Sequence, residues 1–208
     1  GTVSLLEMVG VYQAIANRGT GLTPVYLDGI EDQHGRVLYQ RDRDPDGDSV
    51  CSAGNAELMI EMLRGVANQG TAAGLRSRFG IYADVAGKTG TTQNYTDGWF
   101  IGFTPSLVAG AWVGGDLQNL RFLDMQHGQG AATAMPIWAG FMNRAFMDER
   151  WGWLDNEKFA IADSTLEKLD CEDFTEEEPR ELRPLEQLRK EIREEGFFRR
   201  IFRRKKRR

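Results

Sequence analysis

Histidine and cysteine are nearly missing from this 208-residue chain, which holds two of each. His34 and His127 supply almost no material for a histidine-based triad or a zinc site. Cys51 and Cys171 have no metal-ligand spacing and lie in different regions, so they leave the redox compartment undecided. No apolar run approaches the roughly 18 to 20 residues of a membrane-spanning helix, and no stretch resembles a signal peptide. An excess of basic charge is also missing: the formal net charge is −5, which excludes a nucleic-acid-binding body. No internal repeat is present.

What is present is enough for one ordinary domain with an appendage. From Asp155 onward lie 15 of the 31 acidic and 15 of the 26 basic residues, so the body carries the whole net charge. With 41% apolar residues chain-wide, that body can bury a sizeable core, whereas the charge-dense end reads as solvated. The expected division is a body over residues 1–150 and a charged tail over 151–208, largely disordered or forming a short helix. The chain opens on Gly1 and runs directly into a helix signal, which leads us to expect a fragment whose targeting information lies upstream.

Ser4-Leu5-Leu6-Glu7 has the S-x-x-E form of a capping box, and Leu5, Met8, Tyr12, Ile15 and Ala16 follow at helical spacing up to Asn17-Arg18-Gly19. Residues 25–30 and 36–39 read as a hairpin around Asp32-Gln33-His34-Gly35, with glycine supplying the positive φ. Residues 41–54 read as a polar loop. A second helix is expected from Asn55 as cap, burying Leu58, Met59, Met62, Leu63 and Val66 and ending at Asn68-Gln69-Gly70. Three strands follow, at 85–91, 98–103 and 107–114, and the short Thr104-Pro105-Ser106 joint forces the last two antiparallel. Thr133 is expected to cap a third helix that tolerates Pro136 in its first turn and buries Ile137, Trp138, Phe141, Met142 and Phe146. This grouped order predicts an α+β fold, an antiparallel sheet flanked by helices, rather than βαβ units.

The segment with chemistry in it is Ala86-Gly87-Lys88-Thr89-Gly90-Thr91-Thr92, followed by Asp97-Gly98-Trp99-Phe100. A phosphate loop would need glycine at position 82, where Tyr82 stands, and a helix after the threonine, where strand-like residues continue. The remaining reading is a strand lining a substrate groove with a cation at Lys88, a hydroxyl at Thr89 and bare backbone at Gly90. A backbone N–H just beyond that glycine would point at a carbonyl oxygen acquiring negative charge, which is the chemistry of acyl transfer.

K-T-G is one of three motifs of acyltransferases that work with serine and lysine. A-G-K-T-G-T-T followed by D-G-W-F-I-G-F-T-P and W-V-G resembles class A penicillin-binding proteins, the bifunctional enzymes that polymerise and cross-link peptidoglycan. The likeness includes Leu6-Glu7-Met8, Ala16-Asn17 with Gly19, Gly65-Val66 with Gly70-Thr71, and Ala134-Met135-Pro136-Ile137-Trp138, and covers roughly residues 1 to 147. It implies part of the penicillin-binding-protein and serine β-lactamase-like fold, with residues 1–150 the C-terminal portion of the transpeptidase domain. It implies that Lys88 sets the proton and charge balance around the serine and binds the acyl donor. Thr89 and Thr91 would bind the carboxylate of the donor stem peptide or of a β-lactam, beside Gly90, and the Thr91 N–H would form one arm of the oxyanion hole. No metal or cofactor is implied. The implied place of action is extracytoplasmic, periplasmic or on the outer face of the membrane, with an N-terminal anchor not contained in this chain.

None of Ser4, Ser49, Ser52, Ser77, Ser106 and Ser164 has lysine three residues on, and no S-x-N occurs. The nucleophile and its base are therefore expected upstream of Gly1, and this chain is expected to be inactive alone. The alternative is a non-catalytic scaffold of the same fold that serves cell-wall assembly.

Other residues read as structural. Trp99, Phe100, Trp112 and Trp138 are expected in the core. Asp97 reads equally as support for the loop after the triplet and as a turn carboxylate, and His34 and His127 read as turn and loop residues. Residues 155–195 read as a solvated linker, with Leu182, Leu185, Leu188 and Ile192 offering a short amphipathic helix as the alternative. Residues 196–208 interleave eight Arg or Lys with Phe197, Phe198, Ile201 and Phe202, a pattern suited to weak contact with an anionic membrane surface or polyanion.

Overall fold

The structure, a computed structural model, describes residues 3–41, 47–92, 95–115, 117, 120–167 and 169. The capping box forms as the sequence predicts: the Ser4 hydroxyl accepts from Glu7 N while the Glu7 carboxylate accepts from Ser4 N, starting α1 (Leu5–Ala16). Two small antiparallel ribbons follow, β1 (Thr20–Gly21) with β4 (Asp48–Ser49) and β2 (Gly29–Glu31) with β3 (Val37–Gln40). The β2–β3 turn is closed by the Asp32 carboxylate, which accepts from His34 N and Arg36 N, and by Gly35 at φ 77°. The hairpin strand is shorter than the expected 25–30, and the expected polar loop contains β4.

Helix α2 (Ala53–Asn68) starts at Ser52, whose hydroxyl accepts from Asn55 N; Asn55 itself lies inside the helix. Its buried face is Ala56, Glu57, Ile60, Leu63 and Ala67, whereas Met59 and Met62, expected inside, are exposed. The short α3 (Gly74–Ser77) leads to the main sheet, β5 (Ala86–Thr91), β6 (Asp97–Phe103) and β7 (Val108–Gly114), antiparallel in that order. After α4 (Met125–Gly128), α5 (Ala134–Met147) covers one face of the sheet. Trp138 lies edge-on to Phe100 with ring centroids 5.2 Å apart. Gly102 is what lets the helix come so close, since a Cβ there would stand 2.8 Å from the Trp138 ring. Thr133 stands at the N-cap of α5 as expected, but its side chain makes no capping hydrogen bond; its hydroxyl donates to the Gln129 carbonyl. Ile137 and Phe141 face outward, and Met135, Ala139 and Met142 join Trp138 inside.

The opposite face of the sheet packs against α1, with Tyr12, Ile15 and Ala16 around the buried Phe103. Helix α2 packs beside the Ala86 end of β5 and contributes to both faces. Ile60 and Leu63 meet Ala86 and Phe103 on the α1 side, while Ala67 joins Phe100 and Trp138 on the α5 side. Trp99 and Trp112 are corrections to the expected core. They lie edge-to-face at 6.3 Å, and Trp112 is 38% exposed.

The segment after a 3₁₀ turn (Gly152–Asp155) corrects the expectation of a solvated linker from residue 155. Phe159 stacks edge-on to Phe103 at 5.6 Å, and α6 (Asp163–Glu167) lies against α2. Two buried carboxylates hold this strap. Asp84 accepts from Phe159 N and from Arg64, and Glu57 accepts from Ala162 N, the Thr165 hydroxyl and Arg18. These hydrogen bonds, led by the Ala162 N–H and the Thr165 hydroxyl, hold the Glu57 carboxyl below the usual glutamate range. A depressed carboxylate stabilises fully above its unfolded pKa and loses that contribution as pH falls through the folded one. Hydrogen exchange at Ala162 should therefore show protection at neutral pH that is lost as the pH falls below the usual glutamate range. In Glu57→Gln that protection should already be about tenfold lower at pH 7, with the acid dependence gone. The readings for residues 170–208, the remainder of the linker with its alternative helix and the basic, aromatic end, lie outside the described residues.

Candidate active site

The antiparallel register pairs Lys88 with Ile101, Thr89 with Phe100, Gly90 with Trp99 and Thr91 with Gly98. Paired residues share a face, so Lys88 and Gly90 look toward α1 while Thr89 and Thr91 look toward the other side. Thr92 N donates to Asp97 O at 3.3 Å, which makes that pair the hydrogen-bonded one. By alternation, the N–H and C=O of Thr91 and Thr89 point away from β6. Among the described residues no strand pairs with β5 on that outer side. The free edge therefore offers unpaired backbone groups at Thr89 and Thr91, alternating with side chains above and below.

Lys88 reaches this edge from the α1 side, its Nζ donating to the Thr89 carbonyl at 2.7 Å. It borders a cavity of about 490 Å³ between α1 and the sheet, lined also by Met8, Tyr12, Gly90, Trp99 and Ile101. The cavity wall is thus mostly apolar, with the ammonium at its rim. Asp97 braces the turn after the strand: its carboxylate accepts from the Trp99 indole N–H at 3.1 Å, and its backbone N–H donates to the Thr92 hydroxyl.

Both threonines are held from behind. The Thr89 hydroxyl lies 2.7 Å from the Thr71 hydroxyl, and Thr91 Oγ1 accepts from Gly130 N at 3.2 Å. The Gly130 backbone passes so close to the sheet that a Cβ there would stand 2.2 Å from the Trp99 carbonyl oxygen. Only glycine allows that approach, and the approach delivers the N–H to Thr91. Neither Thr71 nor Gly130 carries a role in the sequence pattern. The available signals were the Gly70-Thr71 pair, read as a helix stop and as part of the family likeness, and a glycine of unassigned purpose at 130.

The four residues singled out from the sequence, Lys88, Thr89, Gly90 and Thr91, thus meet at one strand edge. An extended ligand could add there as a strand, with main-chain hydrogen bonds for register, a cation and two hydroxyls for an anionic group, and an N–H for a developing oxyanion.

Residues 1–119 match the family model described as penicillin binding protein transpeptidase domain. The chain is similar to penicillin-binding protein 1A of Aquifex aeolicus, 37% identical over 144 residues, covering 68% of this chain and 19% of the relative. It is also similar to penicillin-binding protein 1A of Rickettsia bellii, 32% identical over 167 residues, covering 70% and 20%. The chain therefore spans about a fifth of the length of these curated relatives. Among solved structures, penicillin-binding protein 1A from Haemophilus influenzae shares the fold, with a TM-score of 0.64 and 22% identity over 76% of this chain and 28% of that one.

Proposed function

The chain belongs to the penicillin-binding protein transpeptidase family, and from that premise we propose that it forms the strand side of a serine D,D-transpeptidase active site that cross-links peptidoglycan. The observation that carries this reading is the free edge of β5, where a lysine, two threonine hydroxyls and an outward-pointing Thr91 N–H converge. A stem peptide ending in D-Ala-D-Ala docks along the edge. Its terminal carboxylate meets Lys88 and the hydroxyls of Thr89 and Thr91, and its scissile carbonyl oxygen lies at the Thr91 N–H. A serine Oγ, with a lysine taking its proton, attacks that carbonyl. The C–N bond breaks, terminal D-Ala leaves as the protonated amine, and an acyl-serine remains for the amine of a second stem to attack. A β-lactam enters the same way, and its ring opening yields a stable acyl-serine.

In this reading the serine and lysine of S-x-x-K come from polypeptide outside these 208 residues, which is supported by the matched segment covering only 19% and 20% of the relatives. The parent protein is of class A, carries a glycosyltransferase as well, and works outside the cytoplasmic membrane from an anchor beyond this chain. Incubation with a fluorescent penicillin tests the assignment. The full-length protein should be labelled covalently and the label released by hydroxylamine, whereas the isolated 208-residue chain should stay unlabelled. Labelling of the isolated chain would overturn the division of the site.

A further inference from the structure

We propose that Thr71 is a positioning residue for acyl-donor recognition: its hydroxyl donates to Thr89 Oγ1 and so turns the Thr89 hydroxyl into a donor toward the ligand carboxylate. The inference rests on the transpeptidase reading of β5 and deepens it.

The two hydroxyl oxygens lie 2.7 Å apart, a contact in which either can be the donor. Each threonine hydroxyl has one proton and can accept as well as donate. A carboxylate only accepts. A ligand carboxylate at the free edge therefore selects the arrangement in which Thr89 gives its proton to the ligand, and the Thr89–Thr71 contact survives only if Thr71 is the donor. The chain of donors then runs Thr71 to Thr89 to carboxylate, and each bond polarises the next.

Thr91 shows the same construction with the ambiguity removed. Its Oγ1 accepts from a backbone N–H, that of Gly130, which cannot reverse. The Thr91 proton is thereby left to point elsewhere than at Gly130. Two hydroxyls on the same face of the same strand are each backed by a donor, one from the loop before α5 and one from the turn after α2.

Thr71 is held where this requires. Helix α2 ends with Gly70 N donating to Val66 O and Ala72 N also donating to Val66 O, which fixes the backbone on both sides of Thr71. Ala72 and Leu75, just after the bend, are buried in the core with Phe100 and Trp138, while Thr71 itself is exposed. The residue is therefore placed rigidly, and its hydroxyl is dispensable for folding.

The full-length protein provides the test, through the kinetics of acylation by a fluorescent penicillin in Thr71→Val, Thr71→Ser, Thr89→Val and the Thr71→Val/Thr89→Val double variant. Loss of a contact made equally in ground and transition states raises the half-saturating concentration without lowering the limiting rate. Thr71→Val should raise that concentration about tenfold and leave the limiting rate within about twofold. Thr71→Ser, which keeps the hydroxyl, should stay near wild type. In the Thr89→Val background, Thr71→Val should add nothing, because its only route to the ligand is already gone. Wild-type kinetics in Thr71→Val, equal impairment in Thr71→Ser, or additive effects in the double variant would each overturn the proposal. A wild-type full-length protein that penicillin does not acylate would overturn the transpeptidase reading, and this inference with it.

Discussion

Thr91→Pro in the full-length protein is expected to slow acylation by a fluorescent penicillin about 10²- to 10³-fold, the cost of removing one oxyanion donor. The prediction follows from the direction of a single N–H. Because Thr92 donates to Asp97 across the ladder, the neighbouring Thr91 N–H faces the free edge and closes no hydrogen bond with β6. Proline is tolerated on such an edge for that reason, and its demand for extended backbone in the preceding residue is already met by Gly90 within the strand. The thermal midpoint should therefore fall by no more than a few degrees. Proline also deletes the hydroxyl that accepts from Gly130. Thr91→Ala serves as the control, since it loses the same hydroxyl and keeps the N–H. Acylation rates that match in the two variants would mean that the Thr91 N–H has no part in stabilising the oxyanion.

Features carried by neighbouring residues were legible in the sequence. Ser4 and Glu7 are three apart, and the box they form needs nothing else. The short joint between β6 and β7, residues 104–107, leaves antiparallel pairing as the only outcome, and β5 to β7 stand within a residue of their expected bounds. Features carried by distant partners were hidden. Glu57 turns inward because Arg18 lies 39 residues before it and Ala162 and Thr165 lie more than 100 after it. With those partners unseen, the apolar periodicity of α2 rotates the expected buried face toward Met59 and Met62. The site divides in the same way. Lys88 to Thr91 are contiguous, whereas Thr71 and Gly130 reach their threonines across 18 and 39 residues. The reading of Trp99 and Phe100 together as core overlooked that adjacent strand residues face opposite sides, and the sequence does not reveal where the covering helix ends. Phe103 lies beneath α1, and Trp99 lies beside the open cavity.

Loss of catalysis through the fold should look different from loss at the edge, and Trp138→Ala should show it. Trp138 is 1% exposed and supports Phe100, the cross-strand partner of Thr89. Truncating it should destabilise the domain by about 3 to 5 kcal/mol, a large share of a typical stability of about 5 to 15. Trp138→Phe should cost much less, for a reason visible in the sheet. The indole N–H is shared between the carbonyls of Gly102 and Ala109, at 3.2 and 3.1 Å. Since Lys88 and Ile101 form a hydrogen-bonded pair, the groups of Gly102 point to β7, where its partner is Ala109. Both carbonyls thus keep ladder donors when the indole is gone, and no buried group is orphaned. For Trp138→Ala the thermal midpoint should drop sharply, and penicillin acylation at 37 °C should fall with the folded fraction and recover on cooling. Acylation in Thr91→Pro should remain low at every temperature, because there the strand is folded and the oxyanion has lost its donor.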